Sequence, residues 1–190
     1  MCGSGTIPIE AAMIAFKIPP GILRKNYAFQ KFNNYNKTLF NNLIEEAKNN
    51  ITINDNVKIY GSDHIKQNID LAIQSASQIG INNNINFSIC DINDVNPDNS
   101  SGILIINPPY GNRMGNNIKI NDLYKDLGDI FKKKFIGYDT YIFSGNLDAI
   151  KSVGLKSKKR IILKNRKIDC RLIHYPISYG KFNNYNEKKY

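Results

Sequence analysis

Four consecutive apolar residues, Ile103-Leu104-Ile105-Ile106, run directly into Asn107-Pro108-Pro109-Tyr110. A short unbroken apolar run of this kind reads as a strand buried on both faces of a parallel sheet. Asn107 then stands at the strand's carboxyl end, the edge where open α/β sheets bind ligands. Pro108 and Pro109 carry no backbone N–H, and each restricts the residue before it. The turn is therefore stiff, and its carbonyls are available as acceptors.

Two acceptors side by side suit a flat amine. The exocyclic NH2 of a nucleobase is a poor nucleophile because its lone pair is delocalised into the ring. The amide oxygen of Asn107 and the carbonyl of Pro108 can each take one N–H, which leaves the lone pair aimed outward, while Tyr110 can stack on the base. Such catalysis works by positioning and needs no strongly shifted pKa. The rival reading is a plain strand-ending turn, since Asn and Pro are common turn residues.

The rest of the chain alternates strand and helix. Gly3-Ser4-Gly5 is a glycine turn opening a helix that Thr6 can cap, with Pro8 in its first turn and Ile9, Met13 and Phe16 along one stripe. Ile18-Pro19-Pro20-Gly21 ends that helix, and a further helix is expected over 38–48. Val57 to Tyr60 reads as a strand leading into Gly61-Ser62-Asp63, with a helix over 64–79 stopping at Gly80. Asp63 is thus placed to accept hydrogen bonds from ribose hydroxyls, or simply to cap the helix. Ile85, Phe87 and Ile89 alternate as another strand and end at Cys90-Asp91, where Asp91 can accept an adenine N–H or serve as a structural cap. A helix near 120–134, a strand over 138–143, a short helix over 146–153 and paired strands at 159–164 and 169–174 follow. This pattern predicts an α/β fold, a mostly parallel doubly wound sheet closed by an antiparallel hairpin.

Composition narrows the partners. Lys and Arg number 26 against 16 Asp and Glu, a formal charge of +10. Nine of those cations lie between Lys151 and Arg171, against the single carboxylate of Asp169. A polyanion or merely a solvated basic face accounts for this. Arg24 to Lys37 interleaves cations with Tyr27, Phe29, Phe32 and Tyr35, which is either an RNA-facing surface or a packed aromatic connection. The loop from Gly111 to Asn117, with Arg113, reads as a substrate-side loop or a linker. Three widely spaced cysteines and two histidines indicate no metal site, and the odd thiol count suits a reducing compartment, so the cytoplasm is expected. No apolar run reaches the roughly 18 residues of a membrane span. Lys-Phe-Asn-Asn-Tyr-Asn occurs at 31–36 and again at 181–186 without a fixed period, which reads as compositional bias.

In combination, Gly3-Ser4-Gly5, Asp63, Asp91 and Asn107 to Tyr110 resemble a class I S-adenosylmethionine-dependent methyltransferase with its Rossmann-like sheet. More narrowly, Met1 to Met13, Pro20-Gly21-Ile22-Leu23-Arg24 with Ala28-Phe29, Tyr60 to Asp63, Asn107 to Gly111 and Asp169-Cys170-Arg171-Leu172 resemble the bacterial THUMP-associated methyltransferases acting on guanine N2 of 23S rRNA. The resemblance implies that Gly3, Ser4 and Gly5 cradle the methionine part of S-adenosylmethionine, Asp63 its ribose and Asp91 its adenine. Asn107, on the cofactor side as well, and Pro108 would orient the target amine, with Tyr110 against the base, and no metal is needed. It implies a catalytic domain over 1–175 with a polar tail over 176–190. It also implies an RNA-binding THUMP portion and a first, central sheet strand upstream of the glycine turn. Without that strand, neighbouring strands keep unpaired backbone groups, and the chain alone is expected to be poorly stable and weakly active. Adenine N6 or a protein glutamine amide is the rival target, and a non-catalytic RNA-binding remnant the rival class.

Overall fold

The structure is a computed structural model that describes residues 1–111 and 117–178, with the side chains of 117 and 118 left aside. The chain divides into two compact units, Met1–Asp91 and Ile92–Tyr190. The loop expectation at Arg113 and most of the expected polar tail lie outside the described residues.

The first unit contains α1 (Thr6–Ala15), α2 (Lys37–Asn49), β1 (Ile59–Asp63), α3 (Lys66–Gln78) and β2 (Ile85–Ile89). β1 and β2 pair in parallel, from Ile59 opposite Ile85 to Asp63 opposite Ile89. Ala12, Met13 and Phe16 of the first helical segment bury against Ala76, Ile81 and Ile85.

Thr6 does not cap α1. Gly5 takes that position with φ 82°, and its carbonyl accepts the Ile9 N–H at 3.0 Å. A side chain at Gly5 would strain that left-handed backbone and bring its Cβ within 2.7 Å of the Ala72 Cβ, so α1 can start this close to α3 only from a glycine. The helix closes as a Schellman motif before the prolines, with Ile18 N–H on Met13 O at 2.8 Å and Lys17 N–H on Ile14 O at 3.3 Å. Lys17 holds the left-handed position, φ 57°, that glycine usually fills.

β1 runs later than the apolar residues suggested. Its ladder with β2 carries extended backbone through Gly61 to Asp63, and Cys90 N–H continues it onto Asp63 O at 3.0 Å. Gly61 keeps that strand flush with its neighbours, because a Cβ there would sit 2.8 Å from the Phe87 ring and 3.2 Å from Pro8.

From 19 to 60 no residue is buried. The rings of Tyr27, Phe29, Tyr35 and Phe40 instead pack on one another with centroids 5.2–6.0 Å apart, and the Arg24 guanidinium lies 5.0 Å from the Tyr27 centroid. Three of the four rings singled out in the basic segment are thus tied into a local cluster, while Phe32 stays exposed. Asn36 begins α2, its side chain accepting the Leu39 N–H at 2.9 Å.

The second unit contains β3 (Gly102–Ile106), α4 (Asn117–Lys134), β4 (Tyr138–Ser144), a 3-10 turn (Ala149–Val153), β5 (Lys159–Asn165) and β6 (Ile168–Pro176). Its sheet runs β3-β4-β6-β5, parallel between β3 and β4 and antiparallel across the other two pairs. The expected parallel pairings and closing hairpin are present, and the described strands fall into a two-stranded and a four-stranded sheet. Tyr124, Leu127 and Phe131 of α4 are fully buried.

The expectation of a fully buried β3 fails. Ile103 is 70% and Ile105 39% exposed, while Ile106 is 3% exposed. β3 ends its sheet, so one edge and one face of it have no strand or helix from the described residues to cover the alternate side chains.

Candidate active site

The first unit gathers the residues expected to hold a cofactor. Gly3 adopts φ 57°, and a methyl group at its Cα would meet no atom of the described residues within 4 Å, so the backbone there is open. Its N–H donates to Asp63 Oδ2 at 3.0 Å. Asp63 Oδ1 accepts from Ile65 N–H and from Asn68 Nδ2, each at 3.0 Å. The carboxylate thus ties the glycine turn to the start of α3, and it does so as an i to i+2 Asx-type turn rather than as the cap residue. Ser4 is exposed between the two glycines. Asp91 is exposed two residues beyond Ile89, the partner of Asp63, so both carboxylates stand at the carboxyl ends of adjacent parallel strands.

Burial alone would raise the pKa of Asp63, but the hydrogen bonds from Ile65, Asn68 and Gly3 outweigh it and lower it from the usual carboxylate value. A depressed folded-state pKa gives stability that is present above the unfolded value and is lost as pH falls through the folded one. Asp63→Asn is expected to remove this acid-sensitive part, below about pH 4, and to cost about 1–3 kcal/mol at neutral pH. The cost arises because its NH2 must face a donor on one side or the other. Urea titrations at pH 7 and pH 3 check this, and a variant as stable as the parent at pH 7 would show that the carboxylate clamps nothing.

In the second unit the Asn107 turn is gripped from behind. The Tyr124 hydroxyl donates to Pro109 O at 3.4 Å and lies 2.6 Å from Ser144 Oγ. Asn146 donates from Nδ2 to Tyr110 O at 2.9 Å and from its N–H to Ser144 Oγ at 3.0 Å. Burial pushes the Tyr124 phenol up to about 12, so it remains a hydroxyl at any physiological pH. The Tyr110 phenol is also raised, first by burial, and its oxygen accepts a weak bond from Cys170 Sγ at 3.8 Å.

The carbonyls of Pro109 and Tyr110 are therefore occupied. Among the described residues, the Asn107 amide and the Pro108 carbonyl have no hydrogen-bond partner, although Pro108 is buried. The turn thus fixes its backbone through two carbonyls, with the Asn107 amide exposed at the strand's end and the Pro108 carbonyl in a buried residue beside it.

Tyr124, Ser144 and Asn146 were not singled out in the sequence. The available signal was Ser144-Gly145-Asn146, a polar break closing the strand that pairs in parallel with β3, which places it on the same sheet edge as Asn107. Tyr124 reads in sequence only as one apolar position of a helix. Tyr124→Phe is expected to leave Pro109 O unpaired and to lower unfolding free energy by about 1–2 kcal/mol. A urea midpoint equal to the parent's would mean that the hydroxyl holds nothing.

A glycine turn before a helix, carboxylates ending parallel strands and an acceptor turn after another strand define a class I methyltransferase fold. Solved structures agree. The methyltransferase-like protein SMU.472, in complex with SAH, superposes with TM-score 0.84 at 26% identity, covering 95% of this chain and 48% of that one. A Clostridium difficile 630 protein described as a possible methylase gives TM-score 0.84 at 31% identity, with 96% and 48% covered. The chain belongs to the UPF0020 family of RMKL-like methyltransferase domains, which matches residues 1–174. The Shewanella frigidimarina ribosomal RNA large subunit methyltransferase K/L is 38% identical over 172 residues, covering 89% of this chain and 24% of the relative. The chain thus spans about a quarter of the length of such relatives. No helix among the described residues is long and apolar enough to cross a membrane.

Proposed function

We propose that this chain carries the catalytic domain of an S-adenosylmethionine-dependent RNA methyltransferase acting on the exocyclic amine of a base, with guanine N2 of 23S rRNA as the target. The observation that carries the reading is the pair of acceptors, Asn107 Oδ1 and Pro108 O, that are unpartnered among the described residues, on a turn whose Pro109 and Tyr110 carbonyls are tied down. Each takes one N–H of the amine, turning the plane of the NH2 and freeing its lone pair. Tyr110 borders the base. A neighbour of this fold was solved with SAH, the demethylated form of the cofactor. The open backbone at Gly3, with Ser4 and Gly5, fits its amino-acid end, and Asp63 and Asp91 fit ribose and adenine as acceptors. When bound, S-adenosylmethionine supplies the methyl group from its sulfonium, so the chain's own residues only hold, orient and keep water out.

The cytoplasm, where free thiols such as Cys2, Cys90 and Cys170 persist, is the setting this reading takes. The exposed Ile103 and Ile105 at the open edge of β3 support a further strand pairing there in the full protein, which would also bring an RNA-binding portion. A second reading is adenine N6, favoured by a Listeria monocytogenes protein described as an N6-adenine-specific DNA methylase, TM-score 0.77 at 27% identity. Incubation with labelled S-adenosylmethionine and unmodified rRNA, followed by nucleoside identification, tests both. Labelled N2-methylguanosine is expected; labelled N6-methyladenosine selects the second reading, and label on protein alone overturns both.

A further inference from the structure

We propose that the β5–β6 hairpin holds the phosphates flanking the target base, so that this ribbon and the Asn107 turn form one RNA-gripping surface; this rests on the RNA reading above. β5 is the outermost strand of its sheet, and all seven of its residues are exposed. Charged side chains on an edge strand commonly serve only to block pairing with other chains. Either sign would do that. Here the stretch 151–171 has nine cations and one carboxylate, and the ion pair across the hairpin, Lys164 to Asp169 at 3.9 Å, joins two largely exposed side chains.

Position separates this ribbon from an ordinary basic edge. The register pairs Leu163 with Cys170 and Asn165 with Ile168, leaving Arg166 and Lys167 as the turn. Cys170 Sγ donates a weak bond to the Tyr110 phenol at 3.8 Å, and the Asn165 side chain beside that phenol works against the rise in its pKa. A Cβ on Gly145 would meet Ile168 at 2.7 Å and the Tyr110 ring at 3.1 Å, so the hairpin end and the catalytic turn close over that glycine. The residues that seat Tyr110 are therefore the immediate neighbours of Lys164, Arg166 and Lys167. Positive charge is fixed next to the place where the amine is oriented, and a polyanion whose base enters the turn must pass it. Lys159 and Arg160 extend the charge along β5, with exposed Ile161 and Ile162 between, a mixture suited to ribose and base faces as well as to phosphate.

The test is fluorescence anisotropy of a short fluorescein-labelled single-stranded RNA across a salt series, with S-adenosylmethionine binding followed by calorimetry. Arg166→Gln with Lys167→Gln is expected to weaken RNA binding about tenfold and to flatten the slope of log K against log salt by about 1.4, near 0.7 for each phosphate no longer neutralised. Lys159→Gln with Arg160→Gln should flatten it similarly. Lys48→Gln with Lys66→Gln, two exposed cations of the first unit paired to Glu45 and Asp70, should leave it unchanged. Cofactor binding should be the same in all. If both hairpin pairs bind RNA with the parent's affinity and slope, the hairpin assignment falls while the methyltransferase reading stands. Loss of binding to anionic lipid vesicles with RNA binding intact would likewise overturn it and assign the ribbon to a membrane surface. A parent chain that binds no RNA overturns the assignment together with the RNA reading.

Discussion

Asn107→Ala is expected to slow methyl transfer by about 10²- to 10³-fold, the scale seen when one preorganised polar partner of a reacting group is deleted. Asn107 is exposed and lies just beyond β3, so its truncation leaves the core intact and the chain should melt as the parent does. What it removes is one of two acceptors that the turn leaves unpartnered among the described residues. The amine would keep its bond to Pro108 O and regain rotation about its bond to the base, so the lone pair is no longer aimed. Asn107→Asp retains an acceptor oxygen and should fall between parent and alanine. Single-turnover assays with labelled S-adenosylmethionine, beside calorimetry of cofactor binding, separate the steps. A transfer rate within threefold of the parent's would remove Asn107 from the mechanism, and an equal loss of cofactor binding would reassign it to the cofactor side.

Gly128→Ala should be among the most destabilising single methyl additions in the chain. A Cβ at Gly128 would lie 1.8 Å from the carbonyl oxygen of Val153, a backbone atom that cannot rotate away, so α4 and the 3-10 turn over 149–153 must separate. Overpacking of this kind costs about 1–3 kcal/mol, and the direct backbone clash places it at the upper end. For a chain of this length that corresponds to a fall of about 6–12 °C in Tm, at roughly 2–4 °C per kcal/mol. The consequence reaches the site, because α4 also carries Tyr124, whose hydroxyl meets Pro109 O and Ser144. Thermal melts with Gly145→Ala as a comparison decide it: that Cβ meets a side-chain methyl and a ring edge that can shift, and should cost less. An unchanged Tm for Gly128→Ala would show that the helix and turn do not pack as described.

Much of this was legible because short-range rules act here without contest. The Asn-Pro-Pro-Tyr break, the parallel strand pairs and the closing hairpin follow from apolar runs and turn chemistry, and Asp63 was read at the end of a strand, where it stands. What misled was context beyond the local pattern. Thr6 has the chemistry of a cap, but close packing on Ala72 gave that position to Gly5. The four apolar residues of β3 read as buried on both faces, whereas the strand ends its sheet. The grip on the turn through Tyr124, Ser144 and Asn146 depends on hydrogen bonds between elements 15–36 residues apart, which no window of sequence reveals.

The long surface segment between α1 and β1 bears on how such a protein diversifies. Ile22, Ile51 and Val57 of this segment pack partly buried against the first unit's core, but most of its side chains are exposed, and substitutions at those positions mostly shift stability by under about 0.5 kcal/mol. Its rings pack on one another, so the exposed positions around them can be recharged without disturbing the strand that ends at Asp63. Selection can therefore retune what this flank touches while the strand that ends at Asp63 stays the same.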